Sequence, residues 1–326
     1  MKKVISLILA AFICVGLFGG CSEKKVITIY STGEDFRNEH AREMLKSRFP
    51  EYKIDLVDID TGTLATKVSA EGNDFDGDII FELEATYLEK VSDKLAVLDK
   101  VDYSVFREDL VPENHKYTPL SMLSGSVIIN KKLMEKNNLE YPKSYDDLLK
   151  PEYKGLISMP SPKTSSTGYI FLLNMVNERG EDAAFEYFDK LAENMSGQSF
   201  TTSGSGPVKA LVQNEAAIGL GITFQAVKEI NEGAEFDLLI FDEGAPYDYY
   251  GSAVMAGKET DEDVMKVFDY IISDVSPEDK RLYMPEKVYK EQDTHMENFP
   301  EDIKYGNMEG LMDINIKERL LDKWMH

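Results

Sequence analysis

Apolar and polar residues follow two different periods along this chain, and the two periods alternate from one segment to the next. Short β-rich apolar runs are each followed by a longer segment whose apolar residues share one helix face. The first series predicts alternating strands and helices at residues 26–30, 34–49, 52–59, 64–71, 78–81 and 86–98. A β-α-β-α-β order of this kind is typical of an open, doubly wound sheet with helices on both faces.

A second alternating series follows a long extended stretch at residues 118–130. Its strands are predicted at 155–159, 217–222, 236–241 and 251–256, and its helices at 168–178, 182–195, 207–214, 224–231 and 261–273. The sequence contains neither an internal repeat nor a low-complexity linker. We therefore predict an α/β fold of two doubly wound lobes, between which the chain crosses more than once.

The first twenty residues have the pattern of an export signal. Two lysines precede an apolar run at residues 4–15, and two glycines come directly before Cys21. This arrangement resembles the bacterial lipobox, in which the cysteine becomes the lipidated first residue of the mature protein. We expect residues 1–20 to be a signal peptide and Cys21 to anchor the protein to the outer face of a bacterial membrane.

Composition and charge remove several classes of function. Cys14 would leave with the signal and Cys21 would carry lipid, so thiolate catalysis, iron–sulfur clusters and cysteine zinc sites are excluded. Asp and Glu number 59 against 36 Lys and Arg, which gives a formal net charge of -23. Nucleic-acid binding is excluded as well, because no basic stripe is present to neutralise phosphates.

Hydroxyl residues and glycines are concentrated in the loops that connect predicted strands to helices. In open α/β sheets such loops meet at the carboxyl ends of the strands, where ligands bind. Hydroxyls beside the free amides of a helix start can hold a phosphate, phosphonate or carboxylate, although Ser and Thr are also preferred simple helix caps. The candidate ligand-binding residues of these loops are Ser31, Thr32, Ser165, Ser166, Thr167, Thr202, Ser203, Ser205 and Thr223.

Acidic and aromatic residues supply further candidates for the same site. Glu82 and Glu84 follow a predicted strand, where they can face a cleft or begin the next helix. Glu243 and Tyr247 share a predicted loop with the adjacent tyrosines 249–250, and these aromatic rings can wall a pocket or be exposed turn residues.

Motifs of the common enzyme classes are missing from the sequence. It has no G-x-x-x-x-G-K-[ST], no complete dinucleotide fingerprint, no H-E-x-x-H and no G-x-S-x-G. Its four histidines are scattered, so no paired-histidine metal site is predicted. We therefore expect neither an enzyme, nor a cofactor, nor a bound metal.

A set of short motifs carries a family resemblance that covers nearly all of the mature chain. The first matching piece is the run from the lipobox through residues 26–33. The others are 126–132 (SVIINKK), 151–155 (PEYKG), 165–169 (SSTGY), 202–207 (TSGSGP), 214–219 (NEAAIG), 243–247 (EGAPY) and 251–257 (GSAVMAG). Together they resemble bacterial extracellular solute-binding proteins of ABC importers, in the branch for ferric ion, phosphonates or phosphorylated sugars.

That resemblance implies a type II periplasmic-binding-protein fold, in which two hinged lobes close on a small ligand. Lobe one would be residues 26–121 plus 246–310, lobe two 125–241, and residues 311–326 a C-terminal helix. Trp324 in that last segment is expected to pack on the fold. The implied partners are a small molecule and an ABC transporter permease, and we expect a monomer.

The ligand is not specified by these motifs, but two departures from the family pattern bear on it. Ferric-binding members place two adjacent tyrosines where this chain has Thr223 and Phe224. Small residues usually follow the third strand, where this chain has Glu82 and Glu84, which could admit a cationic group. We predict a binding protein for a small phosphonate or phosphate ester, with or without an amine. The alternatives are ferric ion or a polyamine in the same class, and a secreted phosphoester-acting enzyme.

Overall fold

The computed structural model of the protein describes residues 24–326. The predicted signal peptide and the predicted lipidation site at Cys21 lie outside the described residues. From residue 24 onward, no helix combines the length and the apolar character needed to cross a membrane.

The strands of the described chain form one sheet. They are β1 (Val26–Ser31), β2 (Lys53–Asp58), β3 (Ile79–Glu84), β4 (Thr118–Asn130), β5 (Ile157–Ser158), β6 (Ile218–Ile222), β7 (Phe236–Leu239) and β8 (Tyr247–Val254). The hydrogen-bonded order is β2-β1-β3-β8-β4-β6-β5, and β7 also pairs with β4. β1 is parallel to β2 and β3, whereas β8 runs antiparallel to β3 and β4.

Helices alternate with these strands in the predicted manner. They are α1 (Asp35–Arg48), α2 (Thr61–Glu71), α3 (Ala85–Lys90), α4 (Lys131–Lys136), α5 (Ser166–Arg179), α6 (Glu181–Ala192), α7 (Gly206–Val212), α8 (Thr223–Asn231), α9 (Glu262–Tyr270), α10 (Ser276–Leu282) and α11 (Ile314–Lys323). A π-helical turn, Ile271–Val275, joins α9 to α10.

Side-chain caps determine where several helices begin. The Asp60 carboxylate accepts a hydrogen bond from the Thr63 amide, 2.9 Å away, at the start of α2. Asp261 and Asp313 cap α9 and α11 in the same way. A carboxylate at this position both satisfies a free amide and lies favourably in the helix dipole.

β4 connects two groups of strands. All of its residues are buried, and its first part pairs with β8 whereas residues 125–130 pair with β6 and β7. Gly125 lies where the pairing changes, and a Cβ there would come 2.7 Å from the Phe171 ring and 3.1 Å from Pro246. The two-lobed α/β fold is confirmed, and the exact lobe boundaries stay a prediction.

Two segments differ from the sequence-based prediction because tertiary pairing overrides local pattern. Residues 247–250 were expected in a loop, but they form the start of β8, where Tyr247 pairs with Ser124 and Tyr249 with Met122. The helix expected at 86–98 ends at Lys90, and Ala96 donates its amide to Val254 of β8. Aromatic residues are common in strands, and whether such a segment forms a strand depends on a neighbouring strand with which it can pair.

The C-terminal segment contacts both lobes as they were predicted. Trp324 is buried and packs on Phe188 and Phe200, with ring centroids 5.4 and 5.0 Å apart, which confirms the expectation that it packs on the fold. At the other end of the segment, Thr86 of α3 donates its hydroxyl to the Leu311 carbonyl, 2.6 Å away. α11 is thereby held beside the crossing point of the chain.

Glu286 is a buried carboxyl group in the long irregular segment between α10 and α11. Burial raises the pKa of Glu286 to about 8, against the smaller opposite effect of the Ser124 and Tyr305 hydroxyls. The folded protein therefore holds a proton that the unfolded chain releases above about pH 4.5, so stability falls as the pH rises toward 8 and levels off above it.

We expect the free energy of unfolding to fall by about 2 kcal/mol between about pH 6 and pH 8 through this group alone, at about 1.4 kcal/mol per pKa unit. Urea denaturation at several pH values measures this slope. Glu286→Gln should flatten it, and the exposed control Glu297→Gln should leave it unchanged. An equal slope in wild type and Glu286→Gln would show that this carboxyl is ionised in the fold.

Candidate functional site

A cavity of about 640 Å³ lies beside the crossing strands and is lined by residues of both predicted lobes. Nine of the thirteen candidate ligand-binding residues line it: Thr32, Glu82, Glu84, Ser165, Ser166, Thr167, Thr202, Ser203 and Ser205. The hydroxyl residues of α5 and of the 202–205 loop form one wall, called here the hydroxyl wall. Glu82 and Glu84, at the end of β3 in the other predicted lobe, form the acidic wall.

The hydroxyl wall is built around the start of α5. Its N-cap residue, Ser165, makes no side-chain capping hydrogen bond, in contrast to the aspartate-capped helices. The first amides of a helix have no partner within the helix, and Ser165, Ser166 and Thr167 all line the cavity. The positive end of the helix dipole and these hydroxyls are therefore directed to the same space.

Glycine allows the 202–205 loop to approach this helix start. A Cβ on Gly204 would lie 2.6 Å from the Thr167 hydroxyl oxygen and 3.1 Å from that of Ser165. The Ser203 and Ser205 hydroxyl oxygens are 3.0 Å apart in the same loop. Two segments far apart in sequence thus present their hydroxyls to one cavity.

The acidic wall is neutralised by cations of the protein itself, beginning with Glu82. Arg37 Nη1 and Nη2 lie 2.9 and 2.7 Å from the two Glu82 oxygens, and Ser121 donates its hydroxyl to Glu82 at 2.8 Å. The same guanidinium makes a bidentate pair with Asp279, at 2.9 and 2.8 Å, and contacts Glu34 at 2.9 Å.

Burial controls the protonation of this network. It raises the pKa of Glu82, although Arg37 acts in the opposite direction. Burial also disfavours the charged form of Arg37, but the Asp279 and Glu82 carboxylates outweigh it and hold the Arg37 pKa well above its usual value. Arg37 therefore stays charged, and Glu82 is already engaged by a permanent cation.

Glu84 is engaged by Lys317 of α11. The two side chains are 2% and 3% exposed and form a direct ion pair. The Lys317 ammonium also lies 4.4 Å from the Tyr87 ring centroid and 4.7 Å from that of Tyr169. Lys317 lines the cavity, and sequence reasoning missed it because nothing in the pattern of a C-terminal helix distinguishes a cleft lysine from a surface one.

The remaining four candidates lie away from the cavity lining. Ser31 is buried and donates its hydroxyl to Asn38 at 2.7 Å, and the Thr223 hydroxyl lies 3.0 Å from that of Ser124. Glu243 pairs with an arginine, Arg179, at 3.0 Å. Tyr247 packs edge-on against another tyrosine, with ring centroids 5.3 Å apart. These contacts are structural, and none of them brings the side chain to the cavity.

Several cavity residues were not among the candidates. The charged, amide and aromatic ones are Glu34, Arg37, Asp60, Lys163, Tyr87, Tyr169, Gln225, Tyr250 and Lys317. Gln225 of α8 donates to the Glu34 carboxylate at 3.4 Å, which joins the two predicted lobes at the cavity. Tyr250, one of the adjacent tyrosines, lies 2.8 Å from the Ser166 hydroxyl. Tyr169 ends the SSTGY motif and Lys163 and Tyr250 lie close to recognised motifs, whereas the others carried no signal.

The cavity is lined by both acidic and basic side chains, which suit it to bind a polar or charged ligand. Its ionisable lining comprises Glu34, Arg37, Asp60, Glu82, Glu84, Lys163 and Lys317. Among residues 24–326, no three His, Cys, Asp or Glu side chains are grouped so as to hold a metal ion. The position after β6, where ferric-binding relatives were expected to carry tyrosines, holds the buried Thr223 and Phe224.

Comparisons with known proteins agree with this architecture. A periplasmic binding protein named P5PA has 20% sequence identity and a TM-score of 0.79, covering 92% of this chain and 98% of that chain. The periplasmic binding protein AfuA from Actinobacillus pleuropneumoniae, with exogenous fructose-6-phosphate bound, has 19% identity and a TM-score of 0.80, covering 93% and 98%. Iron-bound HitA from Pseudomonas aeruginosa has 15% identity and a TM-score of 0.77, covering 91% and 98%. These likenesses establish a type II periplasmic-binding-protein fold.

Sequence comparison extends the result beyond the fold. An uncharacterized protein of Haemophilus influenzae is 25% identical over 279 residues, which are 83% of this chain and 79% of the relative. The family model described as bacterial extracellular solute-binding protein matches residues 77–291, more than half of the chain. The chain therefore belongs to the family of bacterial extracellular solute-binding proteins.

Proposed function

We propose that this solute-binding protein captures a small phosphonate or phosphate ester and delivers it to an ABC importer. The single observation that carries the proposal is the uncapped start of α5, which faces the cavity together with the hydroxyls of the 202–205 loop. A helix start with free amides is a ready anion site, and hydroxyl donors add hydrogen bonds without bringing a competing charge.

The acidic wall supports an anionic rather than a cationic ligand. Glu82 and Glu84 are both paired with internal cations, Arg37 and Lys317, so neither offers a free carboxylate to a polyamine. This pairing argues against the polyamine alternative. The fructose-6-phosphate bound to AfuA, a protein of the same fold, is a phosphate ester and lends support to the proposed ligand class.

Ferric ion is the second candidate because HitA, also of this fold, is an iron-bound protein. Ferric sites need hard anionic oxygens, usually phenolates and carboxylates. Tyr250 lines the cavity, but Tyr247 and Tyr249 do not, and Glu243 is paired with Arg179. These residues therefore give little support to a shared iron site. An intense, stoichiometric visible band on titration with a ferric chelate would favour iron over the proposed ligand.

The family and the proteins of similar fold are binding proteins, and the family implies an extracytoplasmic location. We propose in addition that the protein has no catalytic activity of its own, that it acts as a monomer with a permease, and that Cys21 carries a lipid anchor. Turnover of a generic phosphoester by the purified protein would favour the enzyme alternative.

Ligand capture is proposed to occur by hinge closure of the predicted lobes 26–121 plus 246–310 and 125–241. β4 and the segment leading into β8 are the connections on which such a movement would turn. A ligand that contacts both walls favours the closed state by its differential affinity for it. Small-angle scattering at saturation should then show a smaller radius of gyration.

Removing hydroxyls from the wall should weaken binding without unfolding the protein. Thr167→Val and Ser203→Ala each delete a donor to a charged acceptor, so we expect affinity for the anion to fall about ten- to a hundredfold. Calorimetric titration with ethylphosphonate and with fructose 6-phosphate measures the effect. Thr66→Val, in α2 and away from the cavity lining, is the matched control and should bind like wild type.

The two possible failures of this experiment have different meanings. If neither compound binds wild type at millimolar concentration, the proposed ligand class is wrong. If one binds and both wall variants bind it equally well, the hydroxyls are only structural and the anion lies elsewhere in the cavity. Native mass spectrometry of gently purified protein would identify a co-purified ligand in either case.

A further inference from the structure

The surroundings of the Lys317 ammonium have the composition of an ammonium-binding site. One carboxylate, Glu84, contacts it directly, and the rings of Tyr87 and Tyr169 lie within 5 Å, at 4.4 and 4.7 Å to the centroids. A carboxylate combined with aromatic faces is the usual recognition chemistry for organic cations. The group bound there belongs to the chain itself.

A further buried carboxyl group, Asp248, lies near this cluster. It is fully buried, and its Oδ2 has no hydrogen-bond partner among the described residues, while its other oxygen accepts the Tyr249 amide at 2.8 Å. Burial, reinforced by the Glu84 charge, raises the pKa of Asp248 well above its usual value. This shift favours the neutral form of Asp248, whereas Glu84 contacts the Lys317 ammonium directly as an ion pair.

Lys317 remains charged although it is buried. Burial by itself would lower the pKa of Lys317, but Glu84 and the neighbouring Tyr87 and Asp248 raise it above its usual value. α11, which carries the lysine, is fixed by the buried Trp324 one turn beyond its cavity residue Leu321. The ammonium is thus held in place by the packing of its own helix.

We propose that Glu84, Tyr87 and Tyr169 form an ammonium subsite of the ligand cleft, and that Lys317 fills it permanently. The subsite lines the same cavity as the hydroxyl wall, so its occupation affects which ligands fit. A ligand amine finds Glu84 occupied by Lys317 and Glu82 occupied by Arg37. At the acidic wall the wild-type cleft consequently favours phosphonates and phosphate esters that carry no amine, and Lys317 is the residue that sets this preference.

The subsite can be tested without knowledge of the physiological ligand. Lys317→Ala removes the atoms that make up n-propylammonium, so this cation should bind the vacated place and stabilise the variant. We expect n-propylammonium chloride to raise the melting temperature of Lys317→Ala by at least about 2 °C over sodium chloride at equal ionic strength. Wild type and Lys323→Ala, an exposed lysine of the same helix, should show no such difference.

A variant that fails to fold still gives a result. Recovery of folded Lys317→Ala during refolding with n-propylammonium, and not with sodium chloride, would support the subsite. The double variant Glu84→Gln/Lys317→Met removes both charges and should fold without either salt. The subsite is contradicted if the double variant folds while Lys317→Ala is recovered with neither salt. It is also contradicted if folded Lys317→Ala has the same melting temperature in both salts.

The specificity can be tested with paired ligands, and this part rests on the proposed function. Calorimetry should show that wild type binds ethylphosphonate at least as tightly as 2-aminoethylphosphonate. In Lys317→Ala the ratio of affinities should shift toward the amine by about tenfold or more, since Glu84 is freed. The double variant should not show this shift.

The outcomes separate the two proposals. Binding of neither compound by wild type contradicts the proposed ligand class, whereas the n-propylammonium experiment still decides on the subsite. A tenfold wild-type preference for the amine, or an unchanged ratio in folded Lys317→Ala, contradicts the role of Lys317 while leaving the phosphonate proposal intact.

Discussion

Replacing Arg37 by Met is expected to lower the free energy of unfolding by about 3–5 kcal/mol, because it leaves buried carboxylates without their cation. The Arg37 side chain is 2% exposed and neutralises Glu82 and Asp279, with Glu34 at the edge of the network. Methionine has a similar apolar length, so the loss of charge dominates over the change of volume. Chemical denaturation of both proteins at neutral pH measures the difference.

Arg42 provides a matched control on the same helix. It pairs with Glu39 and Asp58, whose side chains are about half exposed to solvent, and Arg42→Met should cost only about 0–1 kcal/mol. Combining Arg37→Met with Glu82→Gln should recover part of the loss, because one buried charge is removed. A cost of Arg37→Met as small as that of Arg42→Met would show that water screens this network.

Trp324→Ala is expected to have a comparable effect, about 3–5 kcal/mol, since it empties a large buried volume. The indole is 1% exposed and packs on Phe188, Phe200 and Phe185. Its Nε1 has no hydrogen-bond partner among the described residues, so Trp324→Phe should retain most of the stability. Thermal and urea unfolding of the three proteins measures the series.

The adjacent residue supplies the control for Trp324. Met325 is 91% exposed, and Met325→Ala should change the stability by no more than about 0.5 kcal/mol. If Trp324→Ala were equally neutral, the C-terminal segment would not be anchored on α6 as described. In that case Lys317 would also lose the support that holds it in the cleft.

Local patterns were sufficient for most of the secondary structure. Alternating apolar periods placed the strands and helices, and the SSTGY and TSGSGP motifs indicated the two hydroxyl loops that the fold brings together. They failed at residues 247–250, whose turn-like neighbours concealed a strand that exists only because β4 lies beside it. Pairing between distant strands is not visible in a short window of sequence.

Only part of the candidate site was predicted, because contacts between distant residues are not visible in a short window of sequence. Hydroxyls that follow strands can be found from topology, since strand ends meet at one edge of a sheet. Ser31 and Thr223 have the same sequence signature as Ser166 and Ser203, yet their hydroxyls turn into the protein toward Asn38 and Ser124. The direction in which a side chain points depends on its packed neighbours.

The sequence by itself determined the α/β architecture, the two series of elements and the hydroxyl loops, because periodicity and turn chemistry act over a few neighbouring residues. Only the tertiary structure decided the charge of the cleft. Arg37 reaches Glu82 across 45 positions, and Lys317 reaches Glu84 across 233. Two carboxylates that would attract an amine from solvent are neutralised by these distant residues, since a buried charge needs a nearby partner and only folding brings that partner close.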